Sequence, residues 1–255
     1  MKHALVTILA AVGFAAGALA DMISLPTLTR NITLTRDTTL RGTLPENVGW
    51  KISIADGATV RLRDANITSL ANNEYVANYA GITLLGDATI ILEGTNTVRG
   101  GEDSYPGIYV PVGKTLTIDG NGSLYASSQG SACGIGGGSN ISCGNITIDG
   151  GNITATGGYC DAGIGSGKSG SCGNITINGG TVTAKGGNHG AGIGSGSVGG
   201  CGNITISDAV TKVTATKGKN APYSIGAGED GTCDTVTIGG KVGAVSKSPY
   251  TYQPE

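Results

Sequence analysis

The sequence predicts an all-β protein, folded as a single-stranded, right-handed parallel β-helix of about seven or eight coils. Three observations support this fold class: a repeat of fixed period, strands in which apolar and polar residues alternate, and glycine pairs between the strands. Self-similarity at a period of roughly 20–50 residues is typical of stacked-repeat proteins. Equivalent residues lie 29 positions apart in two series: Cys143, Cys172 and Cys201, and Ile135, Ile164 and Ile193.

One repeat consists of two or three short strands joined by glycine corners. In the segment 145–148, Ile146 and Ile148 alternate with polar residues, so both isoleucines share one face of a strand. Gly150 and Gly151 end this strand, because glycine adopts the positive φ of a tight turn at little cost. No 3.6-residue pattern occurs in the repeat, and no helix is expected there.

Stacking the repeats places equivalent aliphatic residues in columns with a common buried face. A single coil cannot bury its own inward side, but a stack of coils can. Each buried aliphatic side chain contributes about 1.5–3 kcal/mol before the ordering cost is subtracted. The predicted columns are Ile146, Ile175, Ile204 and Val236; Ile148, Ile177, Ile206 and Ile238; Ile153, Val182, Val213 and Val242; and Ala155, Ala184, Ala215 and Ala244.

The first twenty residues predict a secretory signal peptide, with a signal anchor as the alternative. Lys2 and His3 precede an apolar run, and the segment 18–20 is a small-x-small cleavage site before Asp21. The apolar run is short for a transmembrane helix, and no later stretch is longer. We therefore expect residues 21–255 to form one β-helix domain with a short polar C-terminal tail, secreted or at the cell surface and without a membrane span.

Degenerate copies of the repeat extend the series toward the N-terminus, and a last copy ends it on the C-terminal side. The interval from Ile54 to Leu92 is longer than one coil, which predicts a loop or short helix inserted around residues 66–79. The degenerate copies lie at 31–34, 51–54, 90–92, 115–118 and 235–238.

The net charge of −2 gives no electrostatic basis for binding nucleic acid or an anionic membrane.

Six cysteines in a chain expected to be exported suggest three disulfides. Residues of one column in adjacent coils lie about 4.8 Å apart, and a disulfide joins Cα atoms about 4.4–6.8 Å apart. A ladder of unpaired buried thiols is the alternative. The favoured pairings are Cys143 with Cys172, Cys201 with Cys233, and Cys133 with Cys160.

No set of residues has the signature of a catalytic or metal site, so we predict no catalytic residue, metal or cofactor. The P-loop-like string at 162–169 occupies the ordinary register of the repeat. His189 with Asp161 comes nearest to a catalytic pair, but the adjacent aspartates of the polygalacturonases are missing. Glu229, Asp230 and Asp234 predict a solvated acidic loop, with a weak calcium site as the alternative.

Two groups of polar residues have a structural interpretation and a binding one. An asparagine column at the start of successive strands predicts an internal amide ladder that satisfies backbone groups of the turns. Three tyrosines in the longer, earlier coils are candidates for stacking on sugar rings, and filling a widened coil is the alternative. These residues are Asn145, Asn174 and Asn203, and Tyr105, Tyr109 and Tyr125.

The repeat Cys-Gly-Asn-Ile-Thr-Ile, with its later Gly-Ala-Gly-Ile-Gly, resembles the glycine-rich repeats of secreted bacterial β-helix surface proteins, some of them described as carbohydrate-binding. The resemblance covers residues 82–245, implies extracellular placement and glycan contact, and transfers no catalytic residue. We therefore expect a non-enzymatic structural or adhesive protein, whose partners are glycans or further copies of itself. A polysaccharide-binding module is the alternative, and a pectinase-like lyase or hydrolase is a more distant one.

Overall fold

The computed structural model describes residues 21–45, 48–68 and 79–255. Within these ranges the chain is almost entirely β-strand and turn, with one 3-10 helix at Leu25–Thr27. The signal peptide predicted at 1–20 and most of the insertion predicted around 66–79 lie outside the described residues. The part of that insertion described at 66–68 continues a strand.

The strands are short, because a glycine or turn interrupts each coil at its corners. The N-terminal half contains β1 (Asp21–Ser24), β2 (Ile32–Leu34), β3 (Thr38–Thr43), β4 (Ile52–Ile54), β5 (Thr59–Thr68), β6 (Ile82–Leu84), β7 (Ala88–Glu93), β8 (Thr95–Arg99), β9 (Ile108–Tyr109), β10 (Thr115–Gly120), β11 (Ser123–Ser127) and β12 (Ile135–Gly136). The C-terminal half contains β13 (Asn145–Ile148), β14 (Asn152–Thr156), β15 (Ile164–Gly165), β16 (Ser171–Cys172), β17 (Ile175–Ile177), β18 (Thr181–Lys185), β19 (Ile193–Gly194), β20 (Gly200–Cys201), β21 (Ile204–Ile206), β22 (Lys212–Thr216), β23 (Ile225–Gly226), β24 (Val236–Ile238), β25 (Lys241–Val242) and β26 (Tyr250–Tyr252).

Successive coils stack in parallel and confirm the predicted β-helix. An 8-stranded sheet takes one strand from each coil, in the order β2-β4-β6-β9-β12-β15-β19-β23. This corresponds to about six full turns with partial coils at the ends. The right-handed sense of the coil stays a prediction from the crossover rule.

The second sheet is 16-stranded and branches at the long strand β5. The first part of β5 pairs with β7 and its last part with β8, so one strand of the early coil becomes two in the next. Gly94 separates these two strands with a φ of 65°, and Gly151 separates β13 from β14 with a φ of 84°. Because glycines break the chain at these corners, each later coil has three short strands, and each strand stacks on its equivalent in the next coil, as the repeat predicts.

The core is a set of aliphatic columns in the predicted register. Ile146 pairs with Ile175, Ile175 with Ile204, and Ile204 with Val236. All four side chains are at most 3% exposed. The alanines at 155, 184 and 215 form a second confirmed column, beside a third one made of Ile153, Val182 and Val213 in the same strands.

The end of the stack differs from the prediction. Val242 was expected above Val213, but its side chain is 76% exposed, and Ala244 is exposed too. Gly239 and Gly240 have φ values of 53° and 71°, so the chain reverses there and β25 pairs antiparallel with β24. The place above Val213 is taken by β26, which forms part of the expected polar tail and pairs antiparallel with β22.

Candidate functional site

The predicted asparagine ladder is present, but it lies at the surface rather than inside the coil. The side-chain oxygen of Asn145 accepts a hydrogen bond from the Asn174 backbone N–H at 2.9 Å. Asn174 accepts from the Asn203 N–H at 2.9 Å, and Asn203 accepts from the Thr235 N–H at 3.1 Å. Each side chain therefore holds the backbone of the next coil at a corner.

Carboxylates play the same part in the earlier coils. Asp56 Oδ1 accepts a hydrogen bond from the Asp87 N–H at 2.8 Å, and Asp87 Oδ1 accepts from the Thr115 N–H at 2.8 Å. Asp64 Oδ1 accepts from the Thr95 N–H at 2.9 Å. These aspartates join coils. Asp119 accepts a hydrogen bond from the Gly120 N–H at its own corner, and Asp149 accepts one from the Asn178 side chain of the next coil.

One of the three expected disulfides is formed, between Cys201 and Cys233, whose Cα atoms lie 4.5 Å apart. Cys133, Cys143, Cys160 and Cys172 carry free thiols. Burial and the neighbouring Cys172 raise the pKa of Cys143 well above its ordinary value. Burial is also the main cause of the raised pKa of Cys133. The other two pairings stay predictions.

The three candidate glycan-contact tyrosines do not lie on one surface. Tyr125 projects from β11 of the large sheet and is 50% exposed. Tyr109 lies in β9 of the 8-stranded sheet, and its hydroxyl donates to the Ser142 carbonyl oxygen at 3.4 Å. Tyr105 lies in the segment before β9. Their contact with glycans stays a prediction.

A different cluster forms at the corner that follows β14 and β18. His189 Nδ1 contacts a carboxylate oxygen of Glu229, and the Asn220 amide nitrogen lies 3.3 Å from the same ring nitrogen. The Tyr159 ring packs against the His189 ring, with centroids 5.1 Å apart. Glu229 therefore pairs with His189 from within the predicted acidic loop, and its side chain stays 37% exposed there.

The pair suggested for catalysis, His189 with Asp161, is not formed. Asp161 is 0% exposed, and its Oδ1 accepts a hydrogen bond from the Lys168 N–H at 2.8 Å. Its Oδ2 has no hydrogen-bond partner, and burial raises the pKa of this carboxyl. The histidine takes Glu229 as its carboxylate partner instead.

An open groove of about 450 Å³ borders this cluster and crosses three coils. Glycines of the three corners line it together with Tyr159, Lys185, Asn188, Lys217 and Lys219. Sequence analysis missed this group, because the lysines interrupt the repeat and resemble ordinary exposed positions. The available signal was the accumulation of lysines at the end of the second strand of one coil and directly after that of the next.

Comparison with known proteins agrees with the geometry of the coils. Residues 116–139, 146–168 and 175–197 match a family model described as Beta helix repeat, and the matches span β10–β12, β13–β15 and β17–β19. No curated protein and no solved structure matches this chain. The fold and the matched repeats define the class: this is a β-helix repeat protein.

Two further observations concern the described part of the chain. None of its helices is long and apolar enough to cross a membrane. Over the same residues, no three His, Cys, Asp or Glu side chains are grouped so that they could hold a metal ion.

Proposed function

We propose that this protein is exported and acts as a rigid, non-enzymatic β-helix scaffold, at the cell surface or in the extracellular matrix, that makes adhesive contacts. The observation that carries the proposal is the use of amides and carboxylates as links between coils. Asn145 and Asn174 hold the next coil in one column, and Asp56 and Asp87 do so in another. Side chains that could serve chemistry thus stabilise the stack instead.

The contacts are proposed for the sides of the solenoid rather than its C-terminal end. Unpaired strand edges invite pairing with another chain, and natural proteins cover them. Here β26 lies antiparallel on β22, and β25 lies antiparallel on β24. This cover supports lateral contacts over end-to-end assembly at that end, and the partners proposed for lateral contacts are glycans or further copies of the chain.

Export is supported by two features of the fold. Disulfides persist in oxidising compartments, and Cys201 is bonded to Cys233. The first residue after the expected cleavage site, Asp21, already lies in β1, which pairs with β3. Both features agree with a mature protein that starts at residue 21 and folds outside the cytoplasm.

Fractionation and binding measurements test the proposal together. N-terminal sequencing of the protein from the cell exterior should give Asp21 as the first residue. A glycan array should show retention of the protein by at least one class of glycan, with no release of reducing or unsaturated sugar. An uncleaved cytoplasmic protein would contradict export, and sugar release abolished by His189→Ala would contradict the non-enzymatic role.

A further inference from the structure

We propose that the corner groove binds a polyanionic glycan, with a sugar ring packed on Tyr159 and carboxylate or sulfate groups on Lys185, Lys217 and Lys219. The inference rests on the proposed function, because it names the ligand class and the site of the lateral contact. It uses none of the tyrosines singled out in the sequence.

Tyr159 provides a braced aromatic surface. Tyr159 is 61% exposed, because the glycines beside it have no side chains that could cover the ring. One part of the ring packs on His189, which is held by Glu229 and lies 3.3 Å from the Asn220 amide nitrogen. Bracing lowers the ordering cost of binding, because the ring is already placed before the ligand arrives. The rest of the ring is free to pack on a sugar.

The groove concentrates positive charge in a chain whose net charge is −2. Lys185, Lys217 and Lys219 line it, and its lining contains no acidic residue. Among the ion pairs of the described residues, none involves these three lysines. Lys217 Nζ donates to the Pro222 carbonyl oxygen at 2.9 Å.

Some cations outside the groove are paired and others, such as Lys212 and Lys241, are in no ion pair of the described residues; the groove differs in that three unpaired lysines line one surface. Arg61 and Arg63 both contact Glu93, at 3.4 and 2.6 Å. Lys114 lies 3.6 Å from Asp56. An exposed cluster of like charges without counter-charge is unfavourable by itself and becomes favourable when an anion is bound.

The shape of the groove suits a linear polymer. Coils lie about 4.8 Å apart, and the groove crosses three of them, so it extends about 10 Å along the solenoid axis. Its volume of about 450 Å³ falls in the range of roughly 300–1,000 Å³ typical of ligand sites. Gly158, Gly187 and Gly218 lie at equivalent corners of these coils, and a Cβ on Gly187 would lie 1.7 Å from the Gly158 carbonyl oxygen, so glycine here allows the three coils that line the groove to stack closely.

A single-stranded nucleic acid offers similar chemistry but fits less well. Proteins that depend on phosphate contacts commonly make about 6–10 of them, and this groove supplies three lysines. A sugar polymer with regularly spaced carboxylates or sulfates needs fewer contacts, because Tyr159 and Asn188 can bind the rings and hydroxyls.

Calorimetric titration of the purified protein tests the inference with four probes: polygalacturonate, dextran sulfate, neutral dextran and oligothymidylate. We expect binding of polygalacturonate or dextran sulfate that weakens as salt is added. Tyr159→Ala should weaken it about tenfold, and Tyr159→Phe should retain it. Lys185→Gln with Lys219→Gln should weaken it about tenfold, allowing about twofold to fivefold for each lost charge. The control, Lys212→Gln with Lys241→Gln, removes the same charge outside the groove lining and should change affinity less than about twofold.

The two polyanions distinguish carboxylate from sulfate recognition, and either one supports the inference. Equal binding of dextran or oligothymidylate would overturn it, as would equal losses in the groove and control variants or no affinity for either polyanion. Melting curves must show that each variant is folded; Lys217 is left unchanged because it holds Pro222. If the glycan array detects adhesion that survives all groove variants, the inference fails and the proposed function stands.

Discussion

Replacement of Ile175 by alanine tests the stacked core most simply. The Ile175 side chain is 0% exposed and lies in register between Ile146 and Ile204. The change removes three carbons, and about 0.8 kcal/mol for each buried carbon gives about 2.4 kcal/mol in lost transfer free energy. Tight stacking on both sides limits relaxation, so the cavity left behind should raise the total to about 3–4 kcal/mol.

Urea unfolding followed by circular dichroism measures this loss. The matched control is Thr176→Ala, because Thr176 is the next residue of β17 and its side chain points outward. The control should change the free energy of unfolding by less than about 0.5 kcal/mol. Equal losses for Ile175→Ala and Thr176→Ala would refute the inward assignment of Ile175 and the column that it belongs to.

Three further predictions follow from close packing, the disulfide and a buried carboxyl. Gly187→Ala should destabilise the protein by about 3 kcal/mol in urea unfolding, because the new Cβ would meet a backbone oxygen of the preceding coil at 1.7 Å. Gly200→Ala is the control and should be tolerated, because the nearest neighbour of its Cβ is a side-chain oxygen at 3.2 Å. The double variant Cys201→Ser with Cys233→Ser should lower the free energy of unfolding by about 3–4 kcal/mol for a loop of this length. In the exported protein, alkylation under denaturing conditions followed by mass spectrometry should find no free thiol. Four labelled thiols would contradict the other two predicted pairings. Burial raises the pKa of Asp161 in the folded state, so the folded protein binds this proton more tightly than the unfolded chain does. The free energy of unfolding should therefore decline as pH rises from the ordinary aspartate range through the raised pKa. Unfolding curves for Asp161→Asn should lack this decline, and identical pH profiles for the two proteins would contradict the assignment.

The regular part of the fold could be predicted from the sequence because its signals repeat. Ile146, Ile175 and Ile204 occupy equivalent positions at a fixed interval, so the register of β13, β17 and β21 follows from the period alone. The end of the stack could not be predicted in this way. Val242 continues the pattern in the sequence, but the glycine pair before it reverses the chain and β26 covers the core instead.

The candidate site was less predictable, because its residues depart from the repeat. His189 stands out as one of two histidines, but its carboxylate partner, Glu229, lies 40 residues away in a corner loop. Only the stacking of coils brings that loop beside Tyr159 and the groove lysines. A pattern of period 29 identifies what is common to the coils, whereas the groove depends on how they differ.

A crystal structure of the exported protein tests the central claim, the in-register parallel stacking of the coils, most directly. The account predicts that Ile146, Ile175 and Ile204 lie one above another about 4.8 Å apart, and that β26 covers β22 antiparallel. A structure in which these isoleucines belong to different columns, or in which Ile175 faces solvent, would contradict it.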